Sequence, residues 1–151
     1  ITYEDKRFLY CNAKTLNLIP SCLAATAADR AGCDEAIFHR GDIVTECAHS
    51  NVSIFKDGKV ITHQLDDKVL PGTARLRLLA FAEKLGFKTE ERDYTLDELM
   101  NADEIVVHST GSFCIPVKTV DGKPVGGKAP EMLKKIQDAL VADFEEQCRA
   151  D

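Results

Sequence analysis

The stretch that decides the fold reads Thr45-Glu46-Cys47-Ala48-His49-Ser50-Asn51-Val52 and, after a hairpin, Leu70-Pro71-Gly72-Thr73-Ala74-Arg75. Glu46 follows the apolar pair Ile43-Val44 and so lies near the end of a predicted strand, where a buried carboxylate needs a partner. Gly72 opens an amphipathic run, so a turn leads there into a helix N-terminus whose free N–H groups suit a phosphate. A carboxylate and an anion-binding helix start together indicate a ligand with a cationic ring atom and a phosphate.

Pyridoxal phosphate, with its pyridinium nitrogen, fits that description. The order of five residues resembles the signature of the class IV (fold-type IV) aminotransferases: Glu46, Asn51, Thr62, Gly72 and Arg75. This is the family of D-alanine aminotransferase, branched-chain aminotransferase and aminodeoxychorismate lyase. The resemblance extends from Arg7 to about Leu140, and the run from Thr45 to Asn51 is most similar to the D-alanine enzymes. It implies amino-group transfer between an amino acid, D-alanine or a related D-amino acid, and a 2-oxo acid.

The expected fold is α+β, because hairpins are interleaved with helical patterns. By resemblance it is the C-terminal cofactor-binding domain of the D-amino acid aminotransferase-like fold, a mixed sheet or open barrel flanked by helices. We expect residues 1–151 to form that single domain. Family members carry a preceding domain that supplies a phosphate-binding arginine and most of the substrate pocket, so the chain is expected to be a fragment of a homodimeric parent.

Lys14 lies between a predicted short strand, Arg7–Cys11, and a predicted helix, Leu18–Ala31. Taken alone, it is most simply a solvated surface amine. The resemblance implies a different role, because Lys14-Thr15-Leu16-Asn17-Leu18 is similar to the segment that carries the Schiff-base lysine. By that resemblance Lys14 binds pyridoxal phosphate covalently and, with Glu46 at the pyridinium nitrogen, is catalytic. A lysine must lose its proton to attack an aldehyde, so we expect surroundings that lower its pKa.

The remaining predicted cofactor contacts lie in three segments. Gly72, Thr73 and Ala74 would offer backbone N–H groups to the phosphate, and Asn51 would support the Glu46 loop. The polar segment His108–Ser112 is either a simple strand-to-turn connection or, as the resemblance favours, a loop whose Ser109 and Thr110 face the cofactor. The signature is not complete: Ser53 replaces a common aromatic residue, and Ala74 stands where a threonine often offers its hydroxyl.

The composition excludes several classes of function. A net charge of −6 argues against a nucleic-acid partner, and no apolar run reaches membrane-spanning length. The six cysteines are widely spaced, which indicates reduced, buried thiols in a cytoplasmic protein rather than a zinc site or a disulfide framework. No metal site is predicted. Cys47 beside Glu46 is read as a small side chain that lines a pocket, because the sequence places no base beside the thiol.

Local patterns predict the other elements. Strands are expected at 34–39 and 43–46 around the Arg40-Gly41-Asp42 turn, and a hairpin at 51–63 around Lys56-Asp57-Gly58. Thr73–Leu85 and Pro130–Cys148 are predicted helices, and Thr95 with Glu98 forms a capping box. The residues expected to face the core are Ile19, Leu23, Ala27 and Ala31 in the first helix, Leu76, Leu79, Ala80 and Ala82–Leu85 in the second, and Leu133, Ile136, Leu140 and Phe144 in the last.

Alternatives to a D-amino acid aminotransferase stay open at this point. Aminodeoxychorismate lyase uses the same lysine but eliminates pyruvate, and a branched-chain aminotransferase differs in its substrate. A non-catalytic, truncated cofactor-binding or interaction domain is a third possibility. Assay with 2-oxoglutarate as amino acceptor separates transaminase from lyase, and the absorbance of lysine-bound cofactor separates a catalytic domain from a non-catalytic one.

Overall fold

The computed structural model describes residues 1–149, which form four helices and ten strands. The helices are α1 (Ile19–Arg30), α2 (Thr73–Lys84), α3 (Leu96–Met100) and α4 (Pro130–Arg149). The strands are β1 (Thr2–Glu4), β2 (Ile37–Arg40), β3 (Ile43–Cys47), β4 (Asn51–Lys56), β5 (Lys59–Thr62), β6 (Lys88–Glu91), β7 (Glu104–Ser109), β8 (Ser112–Pro116), β9 (Thr119–Val120) and β10 (Lys123–Pro124). None of the described helices is both long and apolar enough to cross a bilayer.

A five-stranded mixed sheet in the order β6-β5-β4-β7-β8 forms the centre of the fold. β4 pairs antiparallel with both β5 and β7, whereas β5 and β6 are parallel because the chain crosses over between them through α2. A three-stranded sheet in the order β1-β2-β3 lies beside it. The predicted α+β fold with a mixed sheet and flanking helices is therefore confirmed.

The β4–β5 hairpin shows how closely local sequence decides local structure. Lys56 pairs with Lys59, and the turn residues Asp57 and Gly58 both have positive φ, 50° and 73°. That combination is a type I′ turn, whose twist matches the twist of the strands and which favours Asp-Gly. The hairpin and the capping box at Thr95 are confirmed where the sequence placed them.

Two apolar clusters cover the two faces of the central sheet. On one face, Phe55 and Val106 pack with Leu78 of α2 and Ile136 of α4. On the other face, Val52, Ile54 and Ile105 pack with residues of β2, β3 and α3, and with Tyr94. Because side chains alternate along a strand, the residues of β4 and β7 that share a face with Phe55 and Val106 point towards α2.

The predicted strand Arg7–Cys11 and the predicted apolar face of α1 are wrong. The strand of this region is β1, and residues 5–18 form an irregular loop. Ile19 and Leu23 are 70% and 60% exposed, while Ser21, Ala24 and Ala28 are buried. The helix packs through its small side chains because Phe38 of β2 fills the space beneath it. Its large apolar side chains consequently point outward.

Other burial predictions need smaller corrections. In α2, Leu76 is exposed, as are Ala80 and Leu85, and the buried face includes Arg75 instead. In α4, Phe144 is half exposed and Met132 takes a core position. All six cysteines are free, but only Cys47 and Cys114 are buried. Periodicity identified the helices correctly; on the buried face of α2 it predicted Leu79 and Ala82 and missed Ala74, Arg75 and Leu78.

Glu104 holds the start of α4 against β7, and its removal should destabilise the fold. Its buried carboxylate accepts hydrogen bonds from the backbone N–H groups of Gly127 and Ala129, both at 2.9 Å. We expect Glu104→Ala to lower the free energy of unfolding by about 1–3 kcal/mol, because both donors lose a buried acceptor. Urea denaturation measures this. The exposed Glu146→Ala is the control, and equal stability of both variants would contradict the assigned role.

Candidate active site

A cleft of about 720 Å³ opens between the 7–18 loop, the end of β3, the start of α2 and the end of β7. Each element delivers a different kind of group: an amine, a carboxylate, a helix N-terminus and hydroxyls. All of the residues predicted for the site line this one cleft: Lys14, Glu46, Asn51, Gly72, Thr73, Ala74, Ser109 and Thr110. The structure thus brings the predicted site residues together, and their roles in binding and catalysis stay predictions.

Glu46 is the buried carboxylate of the cleft, with 5% of its surface exposed. Its Oε2 accepts hydrogen bonds from Asn51 Nδ2 at 2.8 Å and from the Leu70 N–H at 3.0 Å. Its Oε1 is paired with Arg7 Nη1. Burial raises the pKa of Glu46, and the guanidinium of Arg7 opposes that shift. We take the side chain as ionised, because these donors all require acceptor oxygens, and Oε1 keeps a lone pair for a further donor.

The sequence analysis placed Asn51 beside Glu46, but it missed the cation that balances Glu46, Arg7, and the groups that hold Arg7. Arg7 binds the carboxylate of Asp5 through Nε at 2.9 Å and Nη2 at 3.0 Å, and Arg40 Nε reaches the same carboxylate at 3.0 Å. Burial raises the pKa of Asp5, but its hydrogen bonds to Arg7 outweigh burial and the net shift is downward. The sequence does contain the charge pattern Asp5-x-Arg7. That pattern does not show that Glu46 and Arg40, some forty residues further along the chain, are the partners of these two side chains.

The opposite end of the cleft is the start of α2. Gly72 is the N-cap residue and provides no side chain, so the first N–H groups of the helix have no side-chain cap there. A Cβ atom at position 72 would stand 2.2 Å from Asn51 Oδ1. Only glycine therefore lets the loop approach the Asn51 side chain that supports Glu46. Thr73 Oγ1 lies 3.3 Å from Thr110 Oγ1 across the mouth of this end.

His108 belongs to the cleft although no role was predicted for it. The segment predicted as a polar loop is in fact strand β7 as far as Ser109, and the turn comes at Thr110-Gly111. His108 is 1% exposed, and its Nε2 lies 2.9 Å from Ser53 Oγ. Burial, with the nearby charge of Arg75, lowers the pKa of His108 to about 3. Its imidazole is therefore neutral at physiological pH.

Lys14 lies in the irregular 7–18 loop and is exposed to the cleft. The loop is held by hydrogen bonds from the Cys11 N–H to the Asp67 carbonyl at 2.8 Å and from the Ala13 N–H to the Tyr10 carbonyl at 3.0 Å. Among residues 1–149, no hydrogen bond or ion pair occupies Lys14 Nζ. The amine is available to a ligand, in contrast to Arg7 at the other end of the same loop.

Two other candidate groups are less suited to chemistry. Cys47 also lines the cleft, but burial raises the pKa of its thiol well above the ordinary value, so it is not a nucleophile. His63, Asp66 and Asp93 lie close enough together to suggest a cation site. Lys68 Nζ, however, already binds Asp66 Oδ2 at 2.5 Å. The lysine therefore balances the negative charge of Asp66 in place of a metal ion.

Comparison with known proteins gives a consistent family. The model of the family described as amino-transferase class IV matches residues 2–120. The D-alanine aminotransferases of Listeria monocytogenes serotype 4b and of Bacillus licheniformis are each 40% identical to the chain, over 149 and 141 residues. These matches cover 98% and 93% of the chain but only 52% and 50% of the relatives. The chain therefore spans about half the length of the curated relatives that it matches.

Solved structures show the same fold. A fold IV transaminase from Curtobacterium pusillum superposes with a TM-score of 0.84 at 25% identity, over 97% of this chain and 52% of the other. The branched-chain amino acid aminotransferase of Escherichia coli gives 0.81 at 28% identity, over 93% and 47%. Both share the overall arrangement of sheets and helices with this chain.

Arg7 should be essential to the charge balance of the site. Arg7→Met leaves Asp5 and Glu46 buried without their cation, and we expect a loss of about 3–5 kcal/mol in the free energy of unfolding at pH 7. The loss should shrink towards pH 4. In the parent, the lowered pKa of Asp5 contributes stability that is present above pH 3.8 and fades below it. In the variant, protonation of Asp5 and Glu46 at low pH removes the free-energy cost of burying two unpaired charges.

Urea denaturation across this pH range measures the effect. Lys6→Met is the matched control, because Lys6 is the neighbouring cation and pairs only with the exposed Glu4. The control should lose less than about 0.5 kcal/mol at every pH. A loss in Arg7→Met that does not depend on pH would mean that packing, not charge, dominates.

Proposed function

Because this chain belongs to the class IV aminotransferase family, we propose that it binds pyridoxal 5'-phosphate in the cleft and carries out amino-group transfer between an amino acid and a 2-oxo acid. One observation carries the proposal. A free amine at Lys14, a hydrogen-bonded carboxylate at Glu46 and an uncapped helix start at Gly72 line a single cavity. These are the groups that an aldehyde, a pyridine nitrogen and a phosphate require.

The donor set of the cleft fits this cofactor. Glu46 Oε1 retains a lone pair for a pyridinium N–H, since Arg7 is its sole donor among the described residues. Glycine at position 72 leaves the helix start open where any side chain would collide with Asn51. Ala74 brings no hydroxyl to the phosphate, but Thr73 does, and Thr110 offers a second one beside it. We propose that the Thr73 hydroxyl takes the role of the hydroxyl that the usual signature has at the next position.

The role proposed for Glu46 is to keep a proton on the ring nitrogen. When bound, the cofactor supplies an electron sink for negative charge at the substrate Cα, and a protonated ring strengthens that sink. Glu46 can hold this proton only as an acceptor, so it must be ionised itself. Burial raises the pKa of Glu46, and the hydrogen bonds from Arg7, Asn51 and the Leu70 N–H favour its ionised form against that burial.

The role proposed for Lys14 is to bind the cofactor aldehyde through Nζ and, once released by the incoming amine, to move a proton at the substrate Cα. Both tasks need the neutral amine. Ser109 and Thr110 hydroxyls and the N–H groups of Thr73 and Ala74 would anchor the phosphate at the far end. Contacts at both ends of the cleft would orient the bound group with respect to Lys14, and orientation supplies much of the rate.

D-Alanine is the amino donor that we propose. The relatives named D-alanine aminotransferase reach 40% identity and cover nearly all of the chain. The branched-chain aminotransferases among the solved structures stand at 27% and 28% identity. L-Leucine is accordingly the competing donor to test, and the lyase reaction is tested by pyruvate release from aminodeoxychorismate.

A second polypeptide surface should complete the cleft. Phe8, Tyr10 and Leu16 of the 7–18 loop are between 76% and 96% exposed, and Ile19 and Leu23 of α1 are 70% and 60% exposed. Exposed apolar side chains in this number mark an interaction surface. We propose that a second copy of the chain covers them in a homodimer; sedimentation of this chain as a monomer at all concentrations would contradict this.

The experiment that tests the cofactor proposal is chemical labelling of Lys14. The chain is mixed with pyridoxal phosphate, treated with sodium borohydride and digested, and the peptides are mapped by mass spectrometry. We expect the label on Lys14, because it is the free amine of the cleft. Lys14→Ala should abolish the visible absorbance of the lysine-bound cofactor, and Lys134→Ala, on exposed α4, should leave it unchanged. A label on a different lysine would overturn the assignment.

Turnover should depend on the completed cleft. With excess pyridoxal phosphate, D-alanine and 2-oxoglutarate, we expect this chain to turn over at least about a hundredfold more slowly than the Listeria D-alanine aminotransferase, because the substrate carboxylate is poorly oriented. What activity remains should favour D-alanine over L-leucine. Turnover within tenfold of the Listeria enzyme would show that these 151 residues suffice, and a preference for L-leucine would reverse the substrate assignment.

A further inference from the structure

A small polar layer lies beneath the first turn of α2, between the cleft and the apolar cluster of Phe55 and Val106. Ser53 and His108 share the sheet face of Phe55 and Val106, because strand side chains alternate. Both are buried, at 0% and 1% exposure, and their side chains are hydrogen-bonded at 2.9 Å. Ser53 and His108 thus form a buried polar pair on the sheet face that carries Phe55 and Val106.

One atom of the pair is left without a partner. Within the described residues, His108 Nδ1 makes no hydrogen bond, although the side chain is 99% removed from solvent. A buried polar atom of this kind is costly unless a ligand or an ordered water satisfies it. His108 also lines the cleft, directly before Ser109 and Thr110 at the same end as the helix start. The residue that carries the unpaired nitrogen therefore lies at the end of the cleft where the phosphate is proposed to bind.

The groups near His108 indicate which kind of ligand its Nδ1 atom would bind. Arg75 is buried nearby, and one of its guanidinium nitrogens, Nη1, also lacks a partner among residues 1–149. Burial, together with the nearby charge of Arg75, keeps His108 neutral, so the imidazole has one N–H and one lone pair. If Ser53 Oγ–H donates to Nε2, the proton of the imidazole must be on Nδ1. The ring then offers an unpaired donor near the unpaired Nη1 of Arg75, whose Nη2 already binds Glu91 Oε2 at 2.7 Å, and two unpaired donors suit an acceptor such as an anion.

We propose that His108 donates a hydrogen bond from Nδ1 to the cofactor phosphate and that Ser53 selects this tautomer by donating to Nε2. The inference rests on the proposed function, because it presupposes that the phosphate binds at the start of α2. Together with the N–H groups of Thr73 and Ala74, His108 would form the floor of the phosphate site. An ordered water on Nδ1 is the competing occupant, and the experiment below distinguishes the two.

The test compares two ligands that differ only by the phosphate, 4'-deoxypyridoxine and its 5'-phosphate, by calorimetric titration of the whole chain. Neither ligand has an aldehyde, so Lys14 chemistry does not contribute. We expect the parent to bind the phosphorylated ligand more tightly. His108→Asn places an amide near the position of Nδ1, and His108→Gln places it near Nε2. The preference for the phosphate should survive in His108→Asn and fall about tenfold in His108→Gln.

Ser53→Ala should also weaken the preference for the phosphorylated ligand, by a smaller factor, because both neutral tautomers of His108 then become accessible. The control is Tyr94→Phe, which removes a buried hydroxyl from the opposite side of the sheet and should leave both affinities unchanged. Nitrogen-15 NMR of the parent should show the His108 proton on Nδ1 in the complex. Thermal unfolding of each variant confirms that it is folded.

The outcomes separate the inference from its premise. Equal affinity of the parent for both ligands would refute the phosphate site, and with it the proposed function. A clear phosphate preference that is the same in the parent, His108→Gln and Ser53→Ala would refute only the role of His108 and would favour the water. Equal losses for both ligands in His108→Gln would show a structural role, which also overturns the inference.

Discussion

The ion pair between Arg7 and Glu46 is the interaction on which the site depends. A carboxylate that is 95% buried must be balanced by a cation or become protonated. Here the cation comes from the irregular loop that follows β1, and the same guanidinium also binds Asp5 and the Lys68 carbonyl. One side chain thus joins the N-terminal loop, β3 and the loop before α2. The amine of Lys14 is in the cleft because it follows Arg7 in that joined loop.

This constraint also explains why the loop has no regular structure. Residues 5–18 gain few backbone partners from a sheet, and their fixed points are side-chain contacts and a hydrogen bond to Asp67. A strand at Arg7–Cys11 would alternate its side chains across two faces. Arg7 could then still reach Glu46, but Phe8 and Leu9 could not both leave the core. The loop exposes these apolar residues and keeps the cation inside, which fits a segment that contacts further polypeptide.

The sequence was sufficient for features that depend on nearby residues and insufficient for features that depend on a distant partner. The Asp57-Gly58 turn, the Thr95–Glu98 cap and the helix starts follow from local chemistry and were predicted correctly. The buried face of α1 was predicted wrongly, because a helix with many small side chains can pack through more than one of its faces. Only the position of Phe38 decides between them. The partner of Glu46 was expected in principle, but no local pattern identifies it as Arg7.

The buried polar groups near the start of α2 show how one helix serves both stability and the site. After its first turn, α2 presents Leu78 and Ala82 to the sheet and forms part of the apolar core. In its first turn the facing sheet residues are Ser53 and His108 instead, and Arg75 is buried with them. Apolar residues at these positions would strengthen the core, since unpaired polar atoms there weaken it. A chain that keeps an imidazole nitrogen and a guanidinium nitrogen unsatisfied beside an uncapped helix start has a surplus of donors at one place. Such a surplus is stabilising only when an acceptor arrives, so the fold is expected to gain rigidity there on binding an anion.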